Sequence, residues 1–452
     1  MSNLDWTEYS TLYTMGNMAS NFAKNQIARL IGEFTQTIRD PLWRDIPLSE
    51  GFKRLFISKP MQKLGRIKQL GPAHLLYPGA VHTRLDHSLG VFHATRLIML
   101  ALLTAQTRSD TPSPKLSQEG LQALLAAAML HDLGHFPYAH ALKDNISREH
   151  EALGSEIIEH DPTLKDIITT HLKTSVASVC QIIDPHLPCQ DEEILFYRTL
   201  LSGTLDPDKL DYLSRDALFC GIPYGMQDAS YIIRHLHVNE ENTLCIPFEA
   251  IGAVEHLLFA KYSMYRNVYW HQTTRSATAM IKKAVFLALQ EEVCTESELY
   301  GLDDESFWVL FSRMQHEGVV QLVQRVRHND LLVSRTMLSF EQSNQHQKLF
   351  LNQSSRNVTE SVIWGKLSRR YTSLKPYEVI IDVPEDISFE SDFPILLENN
   401  TTQPFYAVDE LFTKPMVQTF TSSLRKIRLF LPPYIEPLHV LEALPEELRS
   451  NA

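Results

Sequence analysis

One stretch constrains this chain more than any other. An apolar run from Leu121 to Leu130 leads directly into His131-Asp132, and the window His131 to His150 then holds His131, His135, His140 and His150. With 19 histidines in 452 residues, a window of that length should hold about one. Ser117 has the chemistry of an N-cap, the pattern predicts a helix from Gln118 to His131, and Gly134 and Pro137 end it. An Asp closing so apolar a helix is costly to bury unless a metal ion or strong donors meet it. Adjacent helical residues point about 100° apart, so other helices must complete any shared shell. His87 in HTRLDH can bring a second imidazole and Asp208 in DPDKLDY a second carboxylate. Two imidazoles with two carboxylates suit Mn, Fe, Zn, Co or Mg and leave positions open for water and a phosphate oxygen.

The rest of the chain limits what can surround this cluster. At 452 residues it exceeds one small core, and 44% apolar with 21% charged residues describes a folded protein. Basic residues number 42 and acidic residues 54, a net charge of −12, so most of the surface repels nucleic acid. No run of 18 apolar residues occurs and Met1 to Tyr13 lacks a signal pattern, so neither a membrane span nor a leader is expected. Five cysteines, widely spaced and without a C-x-x-C pair, point to free thiols in a reducing cytoplasm.

The chain reads as mainly α. A weakly helical lead-in covers residues 1 to about 35, an extended or turn segment runs from Asp40 to Leu48, and helices cover Val91 to Gln106 and roughly Ile251 to Glu292. Arg108 to Pro114 is a loop, and Leu236 to Phe248 is a hairpin turning at Glu240-Glu241-Asn242. Beyond about Leu331 the segments Tyr377 to Val383, Phe405 to Val408 and Lys426 to Leu431 read as strands. The expected organisation is a helical catalytic domain over residues 1–330 and a smaller mixed α/β region over 331–452.

Four blocks carry a family resemblance. KQLGPAHLLYPGAVHTRLDHSLG (Lys68 to Gly90), HDLGHFPYAH (His131 to His140), REHEALGS (Arg148 to Ser155) and DPDKLDYLSRD (Asp206 to Asp216) occur in order. They resemble the motif blocks of the HD-domain dNTP triphosphohydrolases, which include SAM- and HD-domain enzymes and bacterial dGTPase-like proteins. The similarity spans about residues 38 to 275. It implies a helical HD core and a metal held by His87, His131, Asp132 and Asp208. It also implies triphosphate contacts from Arg84, His135, His140, Lys209 and Lys261, the last standing where the family carries Arg. Gln69 and Asp216 match residues that hold the sugar 3′-hydroxyl, and Tyr212 and Tyr269 match tyrosines beside the sugar and base. His150 and Glu151 match a His-Glu pair near the leaving group.

The implied reaction is metal-dependent hydrolysis of a dNTP, with dGTP the candidate preferred substrate, to a deoxynucleoside and triphosphate by a homo-oligomer, dimer or tetramer. His140 is the expected proton donor to the leaving 5′-oxygen, with His150 and Glu151 as a relay. Two rivals are an HD phosphohydrolase acting on another nucleotide or a phosphomonoester, and an inactive nucleotide-sensing module. In SAM- and HD-domain members a guanine nucleotide at a separate site drives assembly of the active tetramer. Here Ile57 and Gly65 stand where an Asp and an Arg recognise guanine, and Gln36 and Arg39 replace a Lys and an Asn. Ile57 cannot accept from a guanine edge and Gly65 has no side chain, so activity without GTP, or an activator bound differently, is expected.

Overall fold

The computed structural model describes residues 21–107 and 116–445. The expected loop Arg108 to Pro114 and residues 1–20 of the lead-in lie outside the described residues. Helix α1 (Asn21–Gly32) precedes a hairpin of β1 (Gln36–Asp40) and β2 (Arg44–Leu48), which forms the segment expected to be extended or a turn.

Helix α2 (Arg84–Gln106) begins seven residues before the expected start at Val91. A capping box explains this: the Thr83 side chain accepts from the Asp86 backbone, and the Asp86 carboxylate accepts from Thr83. The early start puts Arg84 and His87 in the first helical turns. Of all described helices, only α2 is long and apolar enough to cross a membrane, but 89% of its apolar window is buried within the protein. It is the central core helix, packed against α1, α3 (Gln118–Leu130) and α6 (Pro207–Cys220). Between α3 and α6 lie α4 (His150–His160) and α5 (Val176–Ile183). Asp206 caps α6 through the Lys209 backbone at 2.7 Å and Pro207 occupies its first turn, so DPDKLDYLSRD opens a helix.

The expected hairpin is present as β3 (His237–Val238) and β4 (Leu244–Pro247). The long helical pattern after it is broken in two, α7 (Ile251–Met264) and α8 (Gln272–Gln290). A wide π turn over Tyr265–Tyr269 and a new N-cap at His271 separate them.

Helix α9 (Glu317–Arg327) ends just before residue 331, where β5 (Val333–Ser339) begins the C-terminal region. Helix α10 (Gln353–Leu367) and strands β6 (Ile380–Asp382), β7 (Pro394–Leu396), β8 (Thr402–Pro404) and β9 (Lys426–Leu431) follow. Two of the expected C-terminal strands are present, as β6 and β9; the third, Phe405 to Val408, is instead a helical turn that starts after Pro404. Strand β9 lies between β5 and β6, antiparallel to both, and is buried along most of its length. Strand β7 pairs in parallel with β4, so the region after 331 shares a sheet with the part before it. Phe389, Phe393, Phe412 and Phe420 likewise join the apolar core built by α1, α2 and α3.

Candidate active site

The four expected metal ligands come from three places in the sequence and meet at one point. His87 Nε2 lies 2.8 Å from Asp208 Oδ1, and His131 Nε2 lies 3.4 Å from Asp132 Oδ1 and 3.7 Å from Asp208 Oδ1. The ligand atoms of His87, His131 and Asp132 all lie within 4.8 Å of one another. His131 Nε2 is buried yet has no hydrogen-bond partner among the described residues. A lone pair left so is costly, whereas beside two carboxylates it fits a divalent cation. Its tautomer is set from behind, by the Ala128 carbonyl 2.9 Å from Nδ1.

The second imidazole is anchored more strongly. His87 Nδ1 meets Asp211 Oδ2 at 2.8 Å. Asp211 is in turn held by both nitrogens of Arg215 at 2.8 and 2.9 Å and by Trp43 Nε1 at 2.6 Å. Arg215 also reaches Asp40 at 2.8 Å, which ties the β1–β2 hairpin to the site. Burial alone would lower the His87 pKa, but hydrogen bonds to Asp208 and Asp211 push it up to about 10. Two glycines of the motifs are needed by this packing. A Cβ on Gly90 would sit 1.8 Å from Asp211 Oδ1, and one on Gly134 would sit 2.0 Å from the His150 carbonyl oxygen.

This arrangement predicts that Asp211→Asn, which keeps the shape and removes the charge behind His87, weakens metal binding about 10–100-fold. Metal titration of the stripped protein measures it; an unchanged affinity would show that Asp211 serves only the fold.

A cleft of about 780 Å³ opens onto these residues. Gln69, Arg84, His140, His150, Glu151, Lys209, Tyr212, Asp216 and Tyr269 line it, with His87, His131, Asp132 and Asp208. Arg84 donates to Asp132 Oδ2 at 2.7 Å. His135 is buried beneath, its Nδ1 3.2 Å from Asp132 Oδ1 and its Nε2 3.0 Å from His140 Nε2. The His150 ring packs on His135 at 3.9 Å, and His150 Nδ1 lies 3.1 Å from Glu151 Oε2. Burial first, and the Arg84 charge second, push the buried His135 well below its usual range; crowding in the cleft and then Arg84 lower His140 as well, though its side chain stays open to solvent. Burial also raises the Glu151 carboxyl. At the other end, Asp216 meets His82 Nε2 at 2.8 Å and accepts from the Tyr269 hydroxyl at 2.6 Å. Gln69 Oε1 and Arg84 Nε are buried here without a hydrogen-bond partner among the described residues.

Lys261 stands apart from the other expected site residues. It is not among the side chains lining the cleft; its Nζ donates to the Ser388 carbonyl at 2.6 Å and lies 3.4 Å from Glu390. Burial lowers its pKa, against the pull of Glu390. Sequence reasoning missed Asp211, His82 and Trp43 behind the site, and Tyr265, Arg275 and Glu385 on the cleft wall. Asp211 and His82 lie inside quoted motifs; the others carry no local signal.

Two family models match the chain. Residues 84–216 match the HD domain and residues 227–422 match the HD associated region. An uncharacterised protein of Methanocaldococcus jannaschii is 28% identical over 77% of this chain and 69% of its own length. One from Bacillus subtilis is 32% identical over 56% of each chain. The deoxynucleoside triphosphate triphosphohydrolase SAMHD1 of Homo sapiens is 26% identical over 56% of this chain and 44% of that protein. The chain thus spans about half the length of the last two relatives. Among solved structures, a phosphohydrolase from Bacteroides thetaiotaomicron superposes with a TM-score of 0.67 at 22% identity, over 88% of this chain and 100% of the other. A hypothetical protein from Aquifex aeolicus gives 0.68 at 22% identity, over 90% and 99%.

Proposed function

The chain is an HD-domain protein whose HD domain is followed by an HD-associated region, and on that premise we propose that it is a metal-dependent phosphohydrolase that cleaves deoxynucleoside triphosphates to deoxynucleoside and inorganic triphosphate. The observation that carries this reading is the meeting of His87, His131 and Asp132, with Asp208 Oδ1 2.8 Å from His87, in a cleft whose buried Gln69, Arg84 and His131 atoms find no protein partner among the described residues. Its five cysteines are all free thiols, which suits a reducing cytoplasm.

A divalent ion held by these four residues supplies Lewis-acid activation of water and of a phosphoryl oxygen. The protein's own groups do the rest. Arg84, fixed by Asp132, and Lys209, held at the start of α6, neutralise charge growing on the phosphate oxygens. His140 opens onto the cleft and is neutral beside Arg84. A polyanion lying between them shields that charge and lets His140 carry the proton the 5′-oxygen needs on leaving. His135 and His150 hold the His140 ring in place, and Glu151 orients His150. Gln69 and Asp216 bind the 3′-hydroxyl, with Tyr212 and Tyr269 beside the sugar.

The test is a panel of single dNTPs, dGTP among them, with ribonucleotides and p-nitrophenyl phosphate, each with Mn, Fe, Zn, Co or Mg. Turnover confined to the deoxynucleotides supports the reading; turnover of the phosphomonoester alone favours the broader phosphohydrolase. The same panel with GTP added tests activation. Ile57 is largely exposed, and Gln36 and Arg39 are engaged with Glu50 and Asp45 at 2.7 and 3.0 Å. The expected result is an initial rate independent of GTP; a strict, sigmoidal requirement for GTP would contradict it.

A further inference from the structure

One wall of the cleft is an acidic strap, Pro384 to Asp392, reading PEDISFESD. Glu385, Asp386 and Ile387 face the cleft, while Phe389 is buried in the main core. Each carboxylate of the strap for which an ion pair is seen is spoken for. Glu385 meets Arg275 at 3.3 Å and Lys282 at 3.1 Å, and Asp386 meets Arg425 at 3.3 Å. Glu390 lies 3.4 Å from Lys261 Nζ and 3.7 Å from Lys209 Nζ, bridging the two lysines with one oxygen, Oε2. Lys209 has a second carboxylate, Asp206, at 2.7 Å; Lys261 also meets the neutral Ser388 carbonyl at 2.6 Å and lies over the Phe389 ring at 5.5 Å.

We propose that Glu390 sets the ligand class of the cleft, admitting polyphosphates and turning away single phosphates, because it holds Lys209 and Lys261 until a ligand with enough charge releases them. This rests on the reading of the cleft as a nucleotide site. Both ammonium groups are largely buried, at 9% and 5% residue exposure, and a buried cation is costly without its counter-charge. An incoming anion must therefore do at least what Glu390 does for Lys261, while Lys209, which keeps Asp206, offers a second cation within reach of a long polyanion. A triphosphate arm brings several charged groups at spacings that can meet both lysines. A single phosphate replaces one carboxylate by one small anion and gains little. Lys261 then enters the ligand's reach only when the strap lets go, which accounts for its place behind the cleft wall.

The experiment is calorimetric titration of inorganic triphosphate and of orthophosphate into the metal-loaded wild type, Glu390→Gln and Glu390→Asp. Gln keeps the shape and removes the competing charge. Glu390→Gln should bind triphosphate about tenfold more tightly, the scale of one charge-assisted hydrogen bond lost by the resting state. Its affinity for orthophosphate should rise by more, so that selectivity narrows, and Glu390→Asp should behave as wild type. Unchanged or weaker triphosphate binding by Glu390→Gln would overturn the proposal, as would a gain for orthophosphate no larger than that for triphosphate. Should Glu390→Gln fail to fold, amide exchange of residues 384–392 in the wild type decides: triphosphate should speed it, and no change would overturn the proposal. Neither readout needs turnover. Deoxynucleotides left intact by a protein that gives these binding results would remove the proposed reaction and leave the role of Glu390 standing.

Discussion

Replacing Asp208 by alanine is expected to abolish both metal occupancy and hydrolysis, with turnover falling by about a thousandfold or more, at least roughly 4 kcal/mol of transition-state stabilisation. Asp208 is the ligand proposed from α6, 76 residues beyond Asp132, and it lies 2.8 Å from His87 and 3.7 Å from His131. Without it two imidazoles and one carboxylate remain. The fold should tolerate the change, since the Asp208 side chain is 39% exposed and the like charge of Asp132 opposes it. Elemental analysis and nucleotide turnover of the purified variant check this together. A variant that keeps its metal and its rate would show that Asp208 is not a ligand.

A nucleotide lacking the 3′-hydroxyl should be a poor substrate. Gln69 Oε1 is buried without a partner among the described residues, and Asp216 is fixed by His82 and Tyr269 with its carboxylate at the cleft wall. If both bind the 3′-hydroxyl, its removal leaves buried polar groups unpaired, at a cost of about 3 kcal/mol, or roughly 100-fold in kcat/KM. The comparison is between a dNTP and its 2′,3′-dideoxy analogue under the same metal. Equal kcat/KM for the two would withdraw the sugar-binding roles and favour a phosphohydrolase of wider specificity.

What the sequence reveals of this site follows from how its chemistry is encoded. Metal ligands need particular side chains on particular turns, so HTRLDH, HDLGH and DPDKLDY are legible as short motifs. Even Thr83 and Asp86, which cap α2, sit within the first of these. Residues that support the ligands from afar leave no such mark. Trp43 reaches Asp211 across 168 positions, and nothing around it differs from an ordinary apolar turn. Glu390 is one acid in an acidic segment until folding sets it against Lys261. The error at Phe405–Val408 has another cause: four apolar residues cannot distinguish a short strand from a buried helical turn. The break at Trp270-His271 was hidden because the aromatic residues before it fit a helical pattern until Tyr265–Tyr269 widen into a π turn.

On the function proposed for it, this cleft releases the whole triphosphate arm from a deoxynucleoside. Phosphorus NMR of a single dNTP incubated with the metal-loaded protein, with proton NMR of the released nucleoside, tests this. Inorganic triphosphate and deoxynucleoside are expected in equal amounts, and neither product from Asp208→Ala. A deoxynucleoside diphosphate with orthophosphate, a monophosphate with diphosphate, or intact dNTP after incubation with fully metal-loaded protein would contradict it.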